Sequence, residues 1–302
     1  MKAVIMAGGE GTRLRPLSLG RPKPMTPLLG RPVMEHIINL LKSHGITDIC
    51  VTLCYKPQPV MDYFGGGERL GVRLTWFIED EPLGTAGSVK NCMSHIGGED
   101  FLVISGDCVC DLDLTALARF HRERGAQATL GLYRHPSPLE YGLVLTDGEC
   151  RVERFVEKPG WGQVFTDQIN TGVYLLSPSA MDRVPQDTAW DFGKDLFPAL
   201  LQEGAPLYGL PLEGYWRDMG DCKAYLDCAC DALSGKVKLD MGLPKRSAGV
   251  WSARPLPQGL NLVPPCWIGE GVSLGAGCLI GPHTVLERGV QVGERAMVQR
   301  SV

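Results

Sequence analysis

The chain has 302 residues, a formal net charge of −4 at pH 7 and 44% hydrophobic residues. This length is more than one hydrophobic core usually needs, so we expect a large domain and a smaller one. The net negative charge argues against nucleic-acid binding, which depends on summed positive charge. The sequence has neither an 18-residue apolar run nor a leader with a charged start and an apolar centre, so we expect a cytoplasmic protein without membrane contact.

The 11 cysteines are scattered and include no CxxC spacing. Several lie in hydrophobic segments, which is typical of reduced and mostly buried thiols. Cys108/Cys110 and Cys228/Cys230 have only one residue between the two thiols, which is poor spacing for zinc. We therefore expect no metal site built from thiolates.

The first half of the chain alternates between predicted strands and helices. The predicted strands are 2–7, 48–54, 72–79 and 101–105, and the predicted helices are 33–44, 86–96 and 114–124. Alternation of this kind indicates βαβ units. We therefore expect an α/β fold with a Rossmann-like mixed, mostly parallel sheet and helices on both faces.

From about residue 126 the pattern changes to consecutive strands. The predicted strands here are 128–133, 143–146, 151–156 and 169–176, and a helix is expected at 222–233. Consecutive strands without helices between them favour an antiparallel segment laid over the carboxyl edge of the sheet. The catalytic domain is predicted to span 1–235, followed by a Pro- and Gly-rich linker at 236–260.

The last segment, 261–302, contains a six-residue repeat. Aliphatic residues recur at Ile268, Leu274, Ile280, Leu286, Val292 and Val298, and glycine follows four of them. This period predicts a short C-terminal left-handed parallel β-helix of hexapeptide repeats, with short antiparallel strands as the alternative. Six hexads make about two coils, and the last coil would expose an edge. We expect either that another subunit covers this edge in a homo-oligomer or that the chain is truncated.

A loop rich in glycine and basic residues follows the first strand, with the sequence GGEGTRLRPLSLGRPKPM at residues 8–25. Residues 1–31 contain six lysines and arginines but only one acidic residue. Glycines at this point let backbone N–H groups approach a phosphate closely. The loop matches neither the GxGxxG dinucleotide fingerprint nor the GxxxxGK[ST] loop of ATPases. It predicts an anion site, although a glycine-rich loop alone is equally typical of a turn.

The whole stretch at 8–25 resembles the signature of the sugar-phosphate nucleotidyltransferases, or nucleotide-sugar pyrophosphorylases. Later blocks resemble that family in the same order: EPLGTAG (81–87), SGD (105–107), EKP (157–159), INTG (169–172) and GYWRDMG (214–220). The resemblance covers 1–235. With PLGTAG, YFG at 63–65 and DFGKD at 191–195, the sequence is most similar to the mannose-1-phosphate guanylyltransferases (GDP-mannose pyrophosphorylases), whose tails also carry hexapeptide repeats.

The resemblance implies a reaction between an NTP and a sugar-1-phosphate that gives an NDP-sugar and pyrophosphate, with GTP and mannose-1-phosphate forming GDP-mannose. The attacking phosphate oxygen is already ionised near neutral pH, so neither a general base nor a covalent intermediate is needed. One alternative is a glucose-1-phosphate nucleotidyltransferase that uses another NTP. Another is a catalytically silent regulatory paralogue that binds nucleotide-sugar. An acyltransferase is disfavoured, because two coils with only His283 as a base offer too little surface.

Roles for individual residues also follow from the resemblance. Arg13 would stabilise the leaving β- and γ-phosphates, and Lys23, between two prolines, would place its charge near the α-phosphate. The other expected nucleotide-binding residues are Gly8, Gly9, Gly11 and Thr12 in the loop, and Glu79, Glu81, Gly84 and Thr85 near the base. A carboxylate suits guanine, which presents N–H donors along one edge.

The expected cofactor is Mg²⁺, which prefers one or two carboxylates plus phosphate oxygens. Asp107 follows an apolar strand, and the resemblance makes Asp218 its partner. Asp111 is a nearby alternative, whereas Asp113 is predicted to cap the following helix. The expected sugar-phosphate site comprises Lys158 for the phosphate, Glu157 for sugar hydroxyls, and Gly142, Asn170 and Gly172.

Overall fold

The computed structural model describes residues 1–257 and 259–302. Gln258, in the expected linker, lies outside the described residues. The chain forms two compact units. Unit 1 comprises Met1–Glu10, Ile38–Gly106 and Leu112–Trp216, and unit 2 comprises Gly11–Ile37, Asp107–Asp111 and Arg217–Val302. The chain therefore passes from unit 1 to unit 2 inside the glycine-rich loop and again before Asp107.

Unit 1 is built on one mixed sheet of nine strands. In chain order the strands are β1 (Ala3–Met6), β2 (Asp48–Leu53), β3 (Arg73–Ile78), β4 (Phe101–Ser105), β5 (Ala128–Arg134), β6 (Leu143–Thr146), β7 (Val152–Val156), β8 (Gln168–Leu176) and β9 (Leu207–Pro211). The order across the sheet is β7-β6-β8-β4-β1-β2-β3, and β5 pairs with both β8 and β9. Strands β3, β2, β1 and β4 are parallel, and β8 is antiparallel to β4, β5 and β6.

The described part of the chain contains seven α-helices. They are α1 (Val33–Ser43), α2 (Pro57–Phe64), α3 (Gly84–Lys90), α4 (Met93–Ile96), α5 (Leu114–Glu123), α6 (Phe197–Gln202) and α7 (Cys222–Leu233). The mixed sheet with its helices confirms the expected fold class. Among residues 1–257 and 259–302, no helix has the length and apolar character needed to cross a membrane.

The parallel strands β1 and β4 lie side by side, so the loops that follow them begin at the same edge of the sheet. The N–H group of Gly106 donates a 2.7 Å hydrogen bond to the carbonyl of Met6. A Cβ at Gly106 would lie 2.8 Å from that carbonyl oxygen, so the close approach requires glycine. Residues after β1 and β4 therefore start from neighbouring points, as ligand-binding loops of open α/β sheets do.

The described part of unit 2 contains a C-terminal β-helix, as the hexapeptide pattern predicts. One face comprises Val250–Ser252, Cys266–Ile268 and Thr284–Leu286, with Lys245–Ser247 added antiparallel. A second comprises Asn261–Leu262, Leu279–Ile280 and Met297–Val298, and a third Ser273–Leu274 and Gln291–Val292. Residues 18 positions apart pair in register, for example Ile268 with Leu286 and Leu274 with Val292. The repeated aliphatic side chains therefore stack, and most of them form a buried core.

In unit 2, Pro27–Leu28 also pairs with Arg31–Pro32. A short strand at Cys108–Cys110 pairs with Trp216–Asp218, of which Arg217 and Asp218 belong to unit 2. Strands Lys245–Ser247 and Val250–Ser252 lie within the segment expected to be a linker. All 11 cysteines are free thiols, and Cys108, Cys228 and five others are buried. Their hydrophobic surroundings in the sequence predict that most of them are buried.

Candidate active site

Lys23 is the centre of a charged cluster in unit 2. Its Nζ atom donates hydrogen bonds to Asp107 Oδ2 at 2.5 Å and to Asp218 Oδ1 at 3.4 Å. Lys23 is only 8% exposed, and a buried cation requires anionic partners of this kind. The fold therefore brings together three residues that are up to 195 positions apart in the sequence.

Short segments hold these three side chains in place. Lys23 begins a single turn of 3₁₀-helix, Lys23–Met25, directly after Pro22. The ring of Pro22 fixes its φ angle and stiffens the entry to this turn. The carbonyl of Asp107 accepts a 3.1 Å hydrogen bond from the N–H group of Met219, which ties the segment after Asp218 to Asp107.

The charged groups of the cluster shift one another's pKa values. Burial raises the pKa of Asp218 to about 6, repulsion from Asp107 adds to this increase, and Lys23 and Arg13 oppose it. Burial acts to lower the pKa of Lys23, but attraction to Asp107 and Asp218 outweighs burial and raises this pKa above its ordinary value. Lys23 therefore stays charged at neutral pH.

The donor set suits a magnesium ion. Both carboxylates have an oxygen within 3.4 Å of the same lysine nitrogen, so they converge on a small volume. Mg²⁺ is commonly held by one or two carboxylates together with substrate phosphate oxygens and water. Asp107 and Asp218 thus fit the ion that the sequence implies.

The two other aspartates near this segment have different partners. Asp113 Oδ1 accepts a 2.9 Å hydrogen bond from the N–H group of Ala116 and caps α5, which confirms the predicted cap. Asp111 Oδ2 accepts a 2.8 Å hydrogen bond from the N–H group of Lys238. Asp111 therefore supports the segment after α7.

Gly11 packs directly against Lys23. Its φ angle is 71°, in the left-handed region, and a Cβ at this position would lie 2.9 Å from Lys23 Cβ. The hydroxyl of buried Ser18 donates a 2.7 Å hydrogen bond to the Gly11 carbonyl. Both the backbone conformation and the available space require glycine here, so Gly11 fixes the position of the lysine stem.

Arg13 and Asp218 lie on the same side of Gly220. A Cβ at Gly220 would lie 2.9 Å from Asp218 Oδ2 and 3.5 Å from Arg13 Nη2. Arg13 thereby adds a second cationic side chain to the cluster around Lys23. Thr12 next to it is exposed. Sequence reasoning missed Gly220 as a site residue, although it ends the block GYWRDMG.

The first two glycines of the loop belong to unit 1. Gly8 is half-buried, and a Cβ there would lie 3.4 Å from Cys54 Cβ. Gly9 is exposed, and a Cβ there would meet no described atom within 4 Å. The backbone at Gly9 is therefore open to approach by a ligand.

A second polar group, in unit 1, surrounds the carboxylate of Glu157. A Cβ at Gly142 would lie 2.6 Å from Glu157 Oε2, and a Cβ at Gly193 would lie 2.5 Å from the same atom. Burial, followed by repulsion from Asp191, raises the pKa of Glu157, while attraction to Lys158 and to Lys194 opposes this increase. Glycine on both sides leaves the carboxylate just enough room.

Asn170 joins this second group through three hydrogen bonds. Its Nδ2 donates to the Tyr174 hydroxyl at 2.9 Å, its Oδ1 accepts from the Gly172 N–H at 3.0 Å, and its own N–H donates to the Gly142 carbonyl at 2.8 Å. Gly172 has a φ angle of 75°, and a Cβ there would lie 2.4 Å from Ser105 Oγ. Four of the residues expected to bind the sugar phosphate are therefore connected.

Lys158, the fifth of them, is exposed and has a φ angle of 46°. Its N–H group donates a 3.2 Å hydrogen bond to the Tyr141 carbonyl. The backbone at Lys158 is thus anchored while its side chain reaches solvent.

Thr85 makes its contacts with the segment around Asp191. Its hydroxyl donates to Asp191 Oδ2 at 3.0 Å and accepts from the Phe192 N–H at 2.9 Å. Gly84 has a φ angle of 70°, and a Cβ there would lie 2.6 Å from the Trp190 carbonyl oxygen. These two residues, expected near the base, therefore hold the segment that carries Asp191.

Glu79 and Glu81 have contrasting environments. Glu79 is buried, and its Oε2 accepts a 3.2 Å hydrogen bond from the Leu83 N–H. Its Oε1 is buried without a hydrogen-bond donor among the described residues. Glu81 is exposed.

Sequence reasoning missed two residues of the second group, Asp191 and Gly193. Asp191 Oδ1 accepts hydrogen bonds from the N–H groups of Gly193 and Lys194 at 2.9 Å and 3.1 Å. Both residues belong to the DFGKD block at 191–195, which contributed to the resemblance but carried no predicted role. For Asp191 the available signal was the tendency of aspartate in loops to accept hydrogen bonds from nearby backbone N–H groups.

The chain belongs to the Nucleotidyl transferase family, whose sequence profile matches residues 2–235. A UTP–glucose-1-phosphate uridylyltransferase of Synechocystis sp. is 36% identical over 251 residues, which are 79% of this chain and 65% of that protein. A mannose-1-phosphate guanylyltransferase of Mycobacterium tuberculosis is 38% identical over 234 residues, which are 77% and 65% of the two chains. This chain thus spans 65% of the length of both relatives.

Solved structures share the fold. HddC from Yersinia pseudotuberculosis, crystallised with GMP-PN, aligns with a TM-score of 0.65 at 29% identity, over 75% of this chain and 96% of that one. A Bacillus anthracis protein assigned as a glucose-1-phosphate thymidylyltransferase and solved with sucrose aligns with a TM-score of 0.71 at 23% identity, over 80% and 97% of the two chains. At that identity the second comparison concerns the fold alone.

Proposed function

We propose that the protein transfers a nucleotidyl group from an NTP to a sugar-1-phosphate, giving an NDP-sugar and pyrophosphate. The observation that carries this proposal is the hydrogen bonding of Lys23 to both Asp107 and Asp218. Arg13 lies beside the same Asp218 carboxylate. Membership of the Nucleotidyl transferase family supports the reaction class.

In this reaction a phosphate oxygen of the sugar-1-phosphate attacks the α-phosphorus of the NTP. The bond from that phosphorus to the oxygen bridging to the β-phosphate breaks, and pyrophosphate leaves with the electron pair. The nucleophile is ionised at neutral pH, so the protein needs to position and neutralise phosphates and does not need to remove a proton. Lys23 would stabilise charge at the α-phosphate, and Arg13 would stabilise the leaving phosphates.

Asp107 and Asp218 would hold Mg²⁺, which when bound neutralises charge on the phosphate oxygens. Lys23 keeps these two carboxylates close together before the substrates arrive. Gly11 excludes a side chain that would push Lys23 away. The backbone at Gly8, Gly9, Gly11 and Thr12 would approach the triphosphate, since glycine leaves N–H groups accessible.

The group around Glu157 would bind the sugar phosphate. Glu157 and Asn170 offer hydrogen-bond acceptors for sugar hydroxyls, and Gly142 and Gly172 leave room for the ring. The exposed ammonium of Lys158 would pair with the phosphate. Asp191 holds the backbone of Gly193 against the Glu157 carboxylate.

We further propose GTP and mannose-1-phosphate as the substrates. The name of the Mycobacterium tuberculosis relative supports this pair. Glu79 Oε1 lacks a donor among the described residues, and an N–H group of guanine would supply one. The Synechocystis relative, of similar identity, favours UTP with glucose-1-phosphate as the second candidate.

A pyrophosphate-release assay of four NTPs against mannose-1-phosphate and glucose-1-phosphate, with Mg²⁺, tests both levels of the proposal. We expect release that requires both substrates and is fastest with GTP and mannose-1-phosphate. If UTP with glucose-1-phosphate is fastest, the substrate assignment is wrong and the reaction class holds. If no pair reacts, while nucleotide-sugar still binds, the protein is a silent regulatory paralogue.

A further inference from the structure

Lys23 is linked through the backbone to a hairpin that follows it in unit 2. The Thr26 N–H donates a 3.0 Å hydrogen bond to the Lys23 carbonyl, and the Val33 N–H donates one of 3.0 Å to the Thr26 carbonyl. Between these two residues the chain forms a two-stranded antiparallel hairpin, which we call the Lys23 hairpin (residues 26–33). The position of Lys23 therefore depends on the position of this hairpin.

The turn of the Lys23 hairpin has an unusual backbone. Its two central residues, Leu29 and Gly30, have φ angles of 53° and 76°, and positive φ angles are typical of two-residue hairpin turns. Leucine rarely adopts a positive φ angle, and Leu29 is also buried. Such a conformation persists only where the surrounding structure holds it. The contacts around the turn therefore matter for the shape of the hairpin.

The β-helix contacts this turn through two side chains. Glu287 Oε1 accepts a 3.1 Å hydrogen bond from the Gly30 N–H. The ring of Trp267 lies against the same glycine, since a Cβ at Gly30 would lie 2.8 Å from Trp267 Cη2. Trp267 is buried, and its Nε1 donates a 2.8 Å hydrogen bond to the Met241 carbonyl, which fixes the ring. The turn thus packs on a rigid aromatic surface and is hydrogen-bonded beside it.

Two further contacts hold the strands of the Lys23 hairpin. The hydroxyl of Tyr225 on α7 donates a 2.7 Å hydrogen bond to the Pro27 carbonyl. Arg31 Nη1 donates a 2.8 Å hydrogen bond to Asp240 Oδ2. Tyr225 is buried whereas the Asp240 side chain is 69% exposed, so the contact with Tyr225 is less screened by solvent. Helix α7, the segment after it and the β-helix therefore all contact this hairpin.

We infer that Glu287 and Trp267 of the β-helix are positioning residues for Lys23. Through the Lys23 hairpin they hold its ammonium group beside Asp107 and Asp218. This inference rests on the function proposed above, in which Lys23 stabilises charge at the α-phosphate. A charge with that role must be held to within about 0.5 Å of its productive position. The β-helix thereby contributes to the reaction although none of its residues is assigned to a substrate.

Two substitutions of Glu287 test the hydrogen bond to the turn. Glu287→Ala removes the acceptor of the Gly30 N–H, whereas Glu287→Gln keeps an acceptor oxygen. In Glu287→Ala we expect kcat for nucleotidyl transfer to fall about tenfold, as is typical when a donor is left without its partner. KM for both substrates should stay within about threefold of wild type, because Lys23 acts in the transition state. Glu287→Gln should keep kcat within about threefold of wild type.

Acylation of lysine amines, followed by peptide mass spectrometry, follows Lys23 without any turnover. Lys23 is only 8% exposed and is hydrogen-bonded, so its acylation rate reports how often its surroundings open. We expect this rate to rise about tenfold in Glu287→Ala and to stay near wild type in Glu287→Gln. Lys223, whose side chain is 85% exposed, is the internal reference and should react equally in all of the proteins.

A core substitution controls for a general loss of stability in the β-helix. Ile280→Val removes one methyl group from the buried core, on a different face of the β-helix from Trp267. Its kcat and its rate of Lys23 acylation should match wild type, since the contacts with the turn remain.

Gly30→Ala is a second test of the same contact, and it applies also if Glu287→Ala does not fold. The new methyl group would lie 2.8 Å from the Trp267 ring, so we expect the same fall in kcat and the same rise in Lys23 acylation. Gly45→Ala is the matched control: Gly45 also has a φ angle of 76°, but its Cβ would meet no described atom within 4 Å. Gly45→Ala should keep the wild-type kcat.

Unchanged acylation of Lys23 in Glu287→Ala would overturn the inference. A wild-type kcat in a Glu287→Ala protein with faster acylation would also overturn it, and so would an equal fall of kcat in Ile280→Val. If the wild-type protein transfers no nucleotidyl group, the proposed function fails. Acylation of Lys23 then decides by itself whether the β-helix holds this lysine in place.

Discussion

The group around Lys23 in unit 2 and the group around Glu157 in unit 1 balance charge in different ways. Lys23 is hydrogen-bonded to two carboxylates, and Arg13 is close to one of them. The Glu157 carboxylate is enclosed by two glycines, and the neighbouring Asp191 accepts hydrogen bonds from a hydroxyl and from backbone N–H groups. The first environment suits phosphates and a metal ion, and the second suits neutral sugar hydroxyls.

The largest effect should come from removing a carboxylate of the Lys23 group. Asp107→Asn takes away an expected Mg²⁺ ligand, so we predict a decrease in the rate of pyrophosphate release of about 100-fold or more. Asp111→Asn is the matched control, because Asp111 accepts a hydrogen bond from the backbone of Lys238. If the rate of pyrophosphate release decreases equally in the two variants, Asp107 is not a specific Mg²⁺ ligand.

The next effect concerns the position of Lys23. Gly11→Ala should lower turnover about tenfold, because the new methyl group would lie 2.9 Å from Lys23 Cβ. Gly20→Ala is the control: Gly20 also has a positive φ angle, 80°, but its Cβ would meet no described atom within 4 Å. Both variants should lose about 1 kcal/mol of unfolding free energy from backbone strain. Only Gly11→Ala should lose activity, and normal turnover in that variant would contradict the account.

Changing Glu157 should weaken the binding of the sugar-1-phosphate and leave the binding of the NTP unchanged. Glu157→Gln removes one acceptor for sugar hydroxyls, and we predict that KM for the sugar-1-phosphate rises about tenfold while KM for the NTP stays the same. Steady-state kinetics with each substrate varied in turn measures both values. If only KM for the NTP increases, the assignment of Glu157 to the sugar site is wrong.

The same substitution should change the pH dependence of stability. Burial raises the pKa of Glu157 above its unfolded value, so the folded state holds this proton to higher pH than the unfolded state does. The wild-type free energy of unfolding therefore falls as pH rises from the unfolded pKa through the folded pKa. Since glutamine does not titrate, the stability of Glu157→Gln relative to wild type should increase between pH 4 and pH 7. Urea unfolding at several pH values measures the free energy of unfolding of both proteins. If the free energy of Glu157→Gln minus that of wild type stays constant or decreases from pH 4 to pH 7, the argument is wrong.

The smallest effect is expected for Thr85. Thr85→Val removes the hydroxyl that bonds to Asp191 and Phe192, so we predict a loss of about 1–2 kcal/mol in unfolding free energy. KM for the sugar-1-phosphate should rise about threefold because Asp191 is less well held. Thr85→Ser keeps the hydroxyl and should behave as wild type. A larger change in KM for the NTP would instead favour the contact with the base that the resemblance implies.

Much of the fold could be predicted because local patterns agree with it. Strands β4 and β6 and helix α7 have the predicted bounds, since buried apolar runs and the cap at Asp221 mark them clearly. Helix α2 was missed because its two prolines indicate a loop, although proline at the first helical position is compatible with a helix. Strand β9 was missed because Gly209 and Pro211 weaken the pattern and its pairing with β5 is non-local.

The site was predictable only in part. The resemblance supplied Lys23, Asp107 and Asp218, but nothing in their local sequence indicates that one lysine lies between the two carboxylates. Gly193 and Gly220 could not be recognised either, because the need for glycine comes from the neighbouring Glu157 and Asp218 side chains. The need for glycine at these positions depends on the distance to a side chain from another part of the chain or from a nearby loop residue. The pattern of residue types along the sequence does not give such distances.

The most direct test of the central claim is ³¹P NMR of the full chain with GTP, mannose-1-phosphate and Mg²⁺. The account predicts that the signals of both substrates decrease together while those of a nucleotide-sugar diphosphate and pyrophosphate appear in equal amounts. It also predicts no such conversion with Asp218→Asn. Formation of inorganic phosphate from GTP without a nucleotide-sugar, or equal conversion by Asp218→Asn, would contradict it.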